Sequence, residues 1–226
     1  MIGSIIKSTG SWYLIRNDKG EIFKSRLRGK FKISNHKLSN PLATGDKVEF
    51  DEDKDYLGSY IINKILPRKN YLIRKSIKKK NNGHIIASNI NQAIIISSLK
   101  KPFTKSGFID RFLISCFAYR IPAMVVYNKE DLLSSKEKIK LNQEIDYYNK
   151  IGFNSLSISA KFDKKMKALK SILKNKISLF MGNSGVGKST LINKLSNKAN
   201  QKISKISNKS NKGKHRTTFS QFFDID

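Results

Sequence analysis

The sequence predicts an α/β chain in which a small all-β barrel is followed by a doubly wound, mainly parallel sheet. Three observations lead to this expectation. Residues 1–66 consist of short apolar segments separated by turns that contain Gly, Asn or Asp, which is typical of a small barrel. Residues 67–226 alternate apolar runs of strand length with helical segments, which is typical of a parallel sheet. A glycine-rich loop at residues 182–189 lies between one such run and a helix. We therefore expect two domains, residues 1–66 and residues 67–226.

The N-terminal segments favour an OB-fold, a five-stranded barrel that commonly binds nucleic acid. Its strands are predicted at Ile2–Lys7, Trp12–Ile15, Glu21–Lys24, Lys47–Phe50 and Gly58–Ile65. We expect its aromatic residues to fill the core, with stacking on RNA bases as the alternative; they are Trp12, Tyr13 and Phe23. We expect three neighbouring cations to contact RNA, namely Arg26, Arg28 and Lys30.

The charge of the chain indicates a polyanionic partner. Its formal net charge is +28, from 45 Lys and Arg against 17 Asp and Glu, and such a field favours nucleic acid. Drift toward Lys through AT-rich codons explains part of the excess. The run from Lys64 to Lys80 is basic and contains no acid. We interpret it as an interdomain linker leading into a basic loop, solvated or in contact with RNA phosphates through Arg74, Lys75, Lys78 and Lys79.

Several classes of protein are disfavoured by the sequence. The single cysteine, Cys116, excludes an internal disulfide framework and a cysteine-cluster metal site, and its apolar surroundings predict a buried thiol. The N-terminus lacks a signal-peptide pattern, and no apolar run approaches membrane-spanning length. We therefore expect a cytoplasmic monomer that does not associate with membranes.

The second part of the chain is expected to form the parallel sheet. Its strands are predicted at Ala93–Ser97, Ala123–Tyr127, Leu156–Ser159 and Ile177–Met181. Its helices are predicted at Phe108–Tyr119, Lys136–Lys150, Asp163–Lys176 and Thr190–Leu195. In such sheets, ligands bind at the carboxyl ends of the strands.

The loop after the last strand carries the G-x-x-x-x-G-K-S motif of a phosphate-binding P-loop. Glycines allow backbone N–H groups to face a polyphosphate, and the helix N-terminus adds partial positive charge. The Lys188 ammonium can reach the β- and γ-phosphates, and the Ser189 hydroxyl can ligate Mg²⁺. The predicted nucleotide-binding residues here are Gly182, Asn183, Ser184, Gly185, Val186, Gly187, Lys188, Ser189 and Thr190.

Two other strand ends carry residues that select guanine. Ala123–Tyr127 leads into Asn128-Lys129-Glu130-Asp131, an N-K-x-D motif, and the following strand ends at Ser159-Ala160. The Asp131 carboxylate can accept both N1–H and the exocyclic amine of guanine, whereas adenine presents an acceptor there. Asn128 is expected to brace the loops or contact the base, Lys129 to pack on the ring, and the Ala160 N–H to meet O6. The sequence therefore predicts GTP and GDP as ligands.

The order of these motifs is unusual, because the base-reading segments precede the P-loop. This order indicates a circularly permuted P-loop GTPase domain, and together with the barrel it resembles the ribosome small-subunit-dependent GTPase A family. Matching stretches are Ser8–Tyr13, Asn70–Lys80, Ile109–Leu113, Asn128–Asp131, Ser159–Ala160, the P-loop and Lys212–Thr218. The resemblance covers essentially the whole chain.

The resemblance implies that Lys212–Thr218 belongs to switch I, which closes over the nucleotide. Thr218 is the first candidate and Thr217 the second for the threonine that binds Mg²⁺ and the γ-phosphate. His215 matches a histidine suggested to position the attacking water, and an exposed phosphate- or RNA-contacting histidine is the alternative. Arg216 stands where the family has another threonine. The predicted catalytic residues are thus Lys188, His215 and Thr218.

Some family features have no counterpart in the sequence. The chain ends at Asp226, where a strand should lead into the D-x-P-G of switch II, and the family's C-terminal zinc-binding domain does not follow. We therefore expect that the chain is truncated or that the protein has lost these parts, the zinc site included. The missing switch II is the reason to consider impaired hydrolysis as an alternative.

The leading functional hypothesis is a GTPase that acts in late maturation of the small ribosomal subunit and binds 16S rRNA. A nucleotide-gated RNA-binding module with impaired hydrolysis is the alternative, and a P-loop enzyme that uses ATP is a third hypothesis.

Overall fold

The computed structural model describes residues 1–29, 41–75, 83–162, 165–196, 199 and 220–225. These residues fall into two compact units. The first contains the described residues up to Ile90 together with Ser220–Phe222, and the second contains those from Asn91 onward together with residues 223–225.

The first unit contains a closed five-stranded barrel, as the sequence predicts. Its strands are β1 (Ile2–Ser8), β2 (Trp12–Arg16), β3 (Ile22–Leu27), β4 (Lys47–Glu52) and β5 (Tyr60–Ile65). They follow the order β1-β2-β3-β5-β4, and β1 also pairs with β4, which closes the barrel. Among these five strands the β3–β5 pair is parallel, and the other neighbouring pairs are antiparallel. This is the OB-fold arrangement.

Alternate residues of each strand point into the barrel, and the inward-pointing side chains are mainly apolar. Ile5, Ile15, Val48, Phe50 and Ile62 are fully buried there.

The aromatic residues of the barrel divide between core and surface. Tyr13 is buried, and the Phe23 ring lies 5.1 Å from that of Phe50 and 4.8 Å from that of Tyr60, so both predicted core positions are confirmed. Trp12 is only half-buried, and the Lys24 ammonium lies 4.4 Å from its ring centroid.

The predicted linker is wrong over part of its length, because it forms a β-hairpin. Strands β6 (Tyr71–Lys75) and β7 (Gly83–Ser88) pair in antiparallel fashion within the first unit. Leu72, Ile85 and Ala87 are buried, so the hairpin has an apolar face of its own.

A buried carboxylate ties this hairpin to the barrel. Asp46, just before β4, is fully buried and binds the Arg68 guanidinium through both oxygens, with Nε–Oδ1 at 2.6 Å and Nη2–Oδ2 at 2.7 Å. The Ser88 hydroxyl, at the end of β7, donates to Asp46 Oδ1 at 2.6 Å. Close packing at Gly45 supports the same contact, since a Cβ there would lie 2.0 Å from the Ser88 carbonyl oxygen. Arg68 therefore has a structural role, although the charge run predicted a phosphate contact or a solvated residue.

The second unit is built on a parallel sheet. Its strands are β8 (Gln92–Ser97), β9 (Ala123–Tyr127), β10 (Ser155–Ser157) and β11 (Ser178–Met181), in the order β10-β9-β8-β11. Helices α1 (Ser106–Ala118), α2 (Ser135–Lys150), α3 (Met166–Leu173) and α4 (Lys188–Leu195) connect or follow them. Each predicted strand and helix is confirmed, with shifts at the ends.

The core of this unit explains the apolar pattern of the sequence. Ile94, Ile96 and Val126 from the sheet pack with Leu169 of α3 and Leu191 of α4 in one buried cluster. Cys116 is fully buried, and burial raises the pKa of its thiol to about 12, which confirms a structural cysteine. Among the helices of the described residues, none is both long and apolar enough to cross a membrane.

Candidate nucleotide-binding site

The P-loop links β11 to α4 and requires glycine at two points of close approach. Gly182 has φ +147°, and a Cβ there would lie 2.2 Å from the Ile96 carbonyl oxygen. Gly187 has φ +98°, and a Cβ there would lie 2.3 Å from Asn128 Nδ2. A side chain at either position would push the loop away from its neighbours. The two glycines therefore allow both the positive φ angles of the loop and its close packing.

Lys188 begins α4 and folds back over the loop. Its Nζ donates to the carbonyl oxygens of Gly182 and Asn183, each at 2.7 Å. Burial lowers the pKa of Lys188 to about 8. The chain therefore holds a largely desolvated amine against the phosphate-binding loop.

The N-K-x-D segment contacts the P-loop directly. Asn128 follows β9 and is buried; its Nδ2 donates to the Val186 carbonyl oxygen at 2.9 Å. Lys129 adopts the left-handed conformation, with φ +69°, and its Nζ donates to the Gly185 carbonyl oxygen at 2.6 Å and to that of Lys101. Burial lowers the pKa of Lys129, and the nearby Asp131 opposes this effect.

The end of β10 is joined to the same segment. The Ser159 hydroxyl donates to Asp131 Oδ1 at 2.5 Å. The Ala160 N–H donates to Asn128 Oδ1 at 3.0 Å. Asn128 thus bridges the P-loop on one side and the Ser159-Ala160 segment on the other, which is the bracing role that the sequence predicted as one of two.

The three predicted motifs therefore meet at the carboxyl edge of one parallel sheet. A loop suited to phosphates and a carboxylate that can accept two hydrogen bonds from one edge of a base thus follow strands of the same sheet, at the same edge. Three predicted residues of the switch segment, His215, Thr217 and Thr218, lie outside the described residues.

The predicted RNA-contacting residues are separate from this edge in sequence, and most belong to the first unit. Arg28 and Arg74 are exposed. Arg26 is held by Asp53 and by Asp55, the latter at 3.0 Å, and its guanidinium lies 4.4 Å from the centroid of the Tyr56 ring. Lys75 ends β6, while Lys30, Lys78 and Lys79 lie outside the described residues.

A divalent cation fits the P-loop only if the phosphates of a bound nucleotide supply most of its oxygen ligands. In the described part of the chain, no group of three or more His, Cys, Asp and Glu residues is placed to hold a metal. The Ser189 hydroxyl, at the second residue of α4, offers one hard oxygen beside the loop. Mg²⁺ typically takes few protein ligands and several phosphate oxygens, so this donor set fits a nucleotide-bound Mg²⁺.

Both parts of the chain match models of known protein families. The model of the RsgA N-terminal domain matches residues 2–61, and the model of the RsgA GTPase matches residues 65–226. The chain belongs to the RsgA GTPase family.

Curated relatives in this family span a longer chain. A protein from Cytophaga hutchinsonii, named small ribosomal subunit biogenesis GTPase RsgA, is 46% identical over 226 residues, which cover 100% of this chain and 74% of the relative. A protein of the same name from Azobacteroides pseudotrichonymphae is 41% identical over 225 residues, covering 100% of this chain and 72% of the relative.

Solved structures of similar proteins have the same architecture. YjeQ from Thermotoga maritima is 30% identical, with a TM-score of 0.67, and the match covers 85% of this chain and 64% of that one. YloQ, described as a circularly permuted GTPase, is 23% identical with a TM-score of 0.62, covering 86% and 63% of the two chains, and shows the fold alone. The circularly permuted order predicted from the motifs is confirmed.

Two features of this RsgA-family site were missed in the sequence. The Lys101 carbonyl oxygen accepts from Lys129, and no side-chain pattern could identify a backbone acceptor. Ser157 and Glu130 also join the two base-reading segments. The alternation of Ser157 and Ser159 along an extended segment was a usable signal, because it places both hydroxyls on one side.

Proposed function

We propose that this chain binds GTP at the P-loop and base-reading segments, hydrolyses it to GDP and phosphate, and acts in maturation of the small ribosomal subunit. The observation that carries the nucleotide assignment is the pair of contacts from Asn128 and Lys129 to the P-loop carbonyls of Val186 and Gly185. They bring the base-reading and phosphate-binding motifs within reach of one molecule.

Guanine is favoured by the acceptors that the site offers. Ser159 donates to one oxygen of Asp131, which orients the carboxylate. The carboxylate can accept from N1–H and the exocyclic amine of guanine, whereas adenine would leave it unpaired. In this proposal the Lys129 stem, whose ammonium donates to the Gly185 carbonyl oxygen, covers the ring face.

Hydrolysis in this proposal is an attack of water on the γ-phosphate. The chain supplies charge neutralisation from Lys188 and the N–H groups at the start of α4, rather than a covalent intermediate. Mg²⁺, when bound with the nucleotide through Ser189, neutralises further charge on the phosphates. His215 is proposed to position the water, and Thr218 to close over the γ-phosphate.

The proposed partner is 16S rRNA within the small subunit. The net charge of +28 and the exposed Arg28 and Arg74 support a phosphate-contacting surface on the first unit. Because Arg26 is already engaged by two carboxylates, its proposed RNA contact would compete with those ion pairs. Since small subunits mature in the cytoplasm, we place the chain there and propose that one copy acts on each subunit. We assign the OB-fold part to residues 1–66. Of residues 67–226, those up to Ile90 lie in the first unit with the barrel, and we assign nucleotide binding to those from Asn91 onward.

Small subunits are expected to raise the rate of GTP hydrolysis by this chain about tenfold or more, because docking would order further groups around the γ-phosphate. The measurement is phosphate release with and without purified 30S subunits. Large subunits at the same concentration serve as the control. Equal rates under all three conditions would contradict the ribosomal part of the proposal.

Replacement of Arg74 by glutamate is expected to weaken binding to 16S rRNA and to reduce the slope of log affinity against log salt by about one unit or more, since a phosphate contact is lost. Filter binding over a salt series measures both quantities. Arg120→Glu is the matched control: Arg120 is also exposed but precedes β9, at the sheet edge opposite the nucleotide motifs. Equal slopes for the two variants would remove Arg74 from the RNA surface.

A further inference from the structure

The N-K-x-D motif leaves its third position open, and in this chain that position is Glu130. We propose that Glu130 is a positioning residue for guanine recognition, which holds the turn carrying Asp131 against the strand end carrying Ser159 and Ala160. This inference rests on the proposed guanine-nucleotide site and names a determinant of its specificity.

The Glu130 side chain is buried, and its polar contacts include a serine and a lysine. Its Oε2 accepts from the Ser157 hydroxyl at 2.9 Å and lies 3.9 Å from the Lys165 ammonium. Lys165 Nζ also donates to Ser157 Oγ at 2.9 Å. These three groups join the turn after β9, the end of β10 and the residue that precedes α3.

The same two segments are joined by three further contacts. The Glu130 N–H donates to the Ile158 carbonyl oxygen at 3.2 Å, and Ser159 donates to Asp131 at 2.5 Å. The Ala160 N–H donates to Asn128 at 3.0 Å. Consecutive carboxylates, Glu130 and Asp131, therefore take the hydroxyls of alternate serines, 157 and 159.

This pairing fixes the register between the segments. If the turn slipped by one residue along β10, the apolar side chain of Ile158 would face a carboxylate and both serine contacts would be lost. Of these contacts, the Asp131–Ser159 bond holds the carboxylate that is proposed to distinguish guanine from adenine. Glu130 and Ser157 hold the register without contacting the base themselves.

Burying a carboxylate costs more free energy than burying an apolar side chain, because the carboxylate must be desolvated and fully paired. A hydrophobic side chain could pack at this position but could not hold Ser157. The half-exposed Lys165 supplies the compensating charge without belonging to either base-reading segment. The arrangement therefore orients the turn that carries Asp131. This orientation matters because the Asp131 carboxylate must accept from two donors of one base edge.

Inosine nucleotides test this orientation, because inosine lacks the exocyclic amine and presents only N1–H to Asp131. We expect wild-type protein to prefer GDP over IDP, and Glu130→Ala to reduce this preference by roughly tenfold through displacement of Asp131. Glu130→Gln keeps an oxygen that accepts from Ser157 and should retain most of the preference. Ser157→Ala should show a smaller loss than Glu130→Ala and provides the test if that variant does not fold.

The measurement is displacement of a fluorescent GDP analogue by GDP, IDP and ADP. Asp110→Ala is the matched control, since Asp110 on α1 also accepts from a buried hydroxyl, that of Tyr148 at 2.8 Å, but lies outside the base-reading segments. It should lower stability and leave the GDP-to-IDP ratio unchanged, because a merely structural loss affects both nucleotides alike.

The outcomes separate this inference from the proposed function. Wild-type protein without preference for GDP over ADP would overturn the guanine site itself. A wild-type preference that persists in Glu130→Ala and in Ser157→Ala would overturn the positioning role alone. A glutamine variant that lost the preference as fully as alanine would also contradict it.

Discussion

Replacement of Asp131 by asparagine is expected to lower the affinity for GDP by about a thousandfold or more and to make the xanthosine nucleotide XDP the preferred ligand. The carboxylate accepts from two donors of guanine, whereas an amide has one acceptor and one donor group, so one guanine donor would face another donor. Xanthine carries a carbonyl in place of the exocyclic amine, and the asparagine amide can donate to it.

The structure favours a clean change of specificity in this variant. Ser159 donates to Asp131 Oδ1, and the Oδ1 of an asparagine can still accept from that hydroxyl, which would leave the NH₂ group toward the base. The measurement is competition between GDP and XDP for the purified protein. Asp146→Asn, on the exposed face of α2, is the matched control. A variant at residue 131 that kept its preference for GDP would refute the assignment.

Replacement of Lys188 by alanine is expected to reduce turnover of GTP by about a hundredfold to a thousandfold, because the cation proposed to neutralise charge on the γ-phosphate is lost. The affinity for GTP should fall as well, and by more than the affinity for guanosine, which has no phosphates for the lysine to contact. Single-turnover phosphate release and equilibrium binding measure the two effects.

Lys194 offers a control for the Lys188 variant, since it lies in the last turn of the same helix. Lys194→Ala should change both quantities little. Lys188→Arg is a sharper comparison, because it keeps the charge but is too large to donate to Gly182 and Asn183 in the same way. If Lys188→Ala bound and hydrolysed GTP as the wild type does, the P-loop would not be the phosphate site.

Much of the fold could be predicted because its signals are local. Short windows of sequence suffice to predict several strands. They show the period-2 alternation around Ile5 and Ile15 and the apolar runs of β8 and β9. The β6–β7 hairpin was missed because the charges of Arg74 and Lys75 outweighed the buried Leu72 and Ile85 in the interpretation. Whether Arg68 was solvated or paired depended on Asp46, 22 residues away, which no local pattern could reveal.

The candidate site shows the same division between local and long-range information. Motif residues such as Asn128 and Gly187 could be identified from spacing alone. The partners of Glu130 and Arg26 could not, because each lies 27 residues from a partner in the sequence and becomes its neighbour only on folding. For Arg26, the pairing with Asp53 gives a structural role beside the predicted contact with RNA.

The Asp46–Arg68 pair also determines where the chain can be divided. The family models change between residues 61 and 65, and a fragment cut there would contain Asp46 without Arg68 or Ser88. Losing the partner of a buried charge costs about 3–5 kcal/mol, a large share of the stability of a small domain. An isolated OB-fold should therefore be expressed with its hairpin, to Ile90, if it is to fold and be assayed alone.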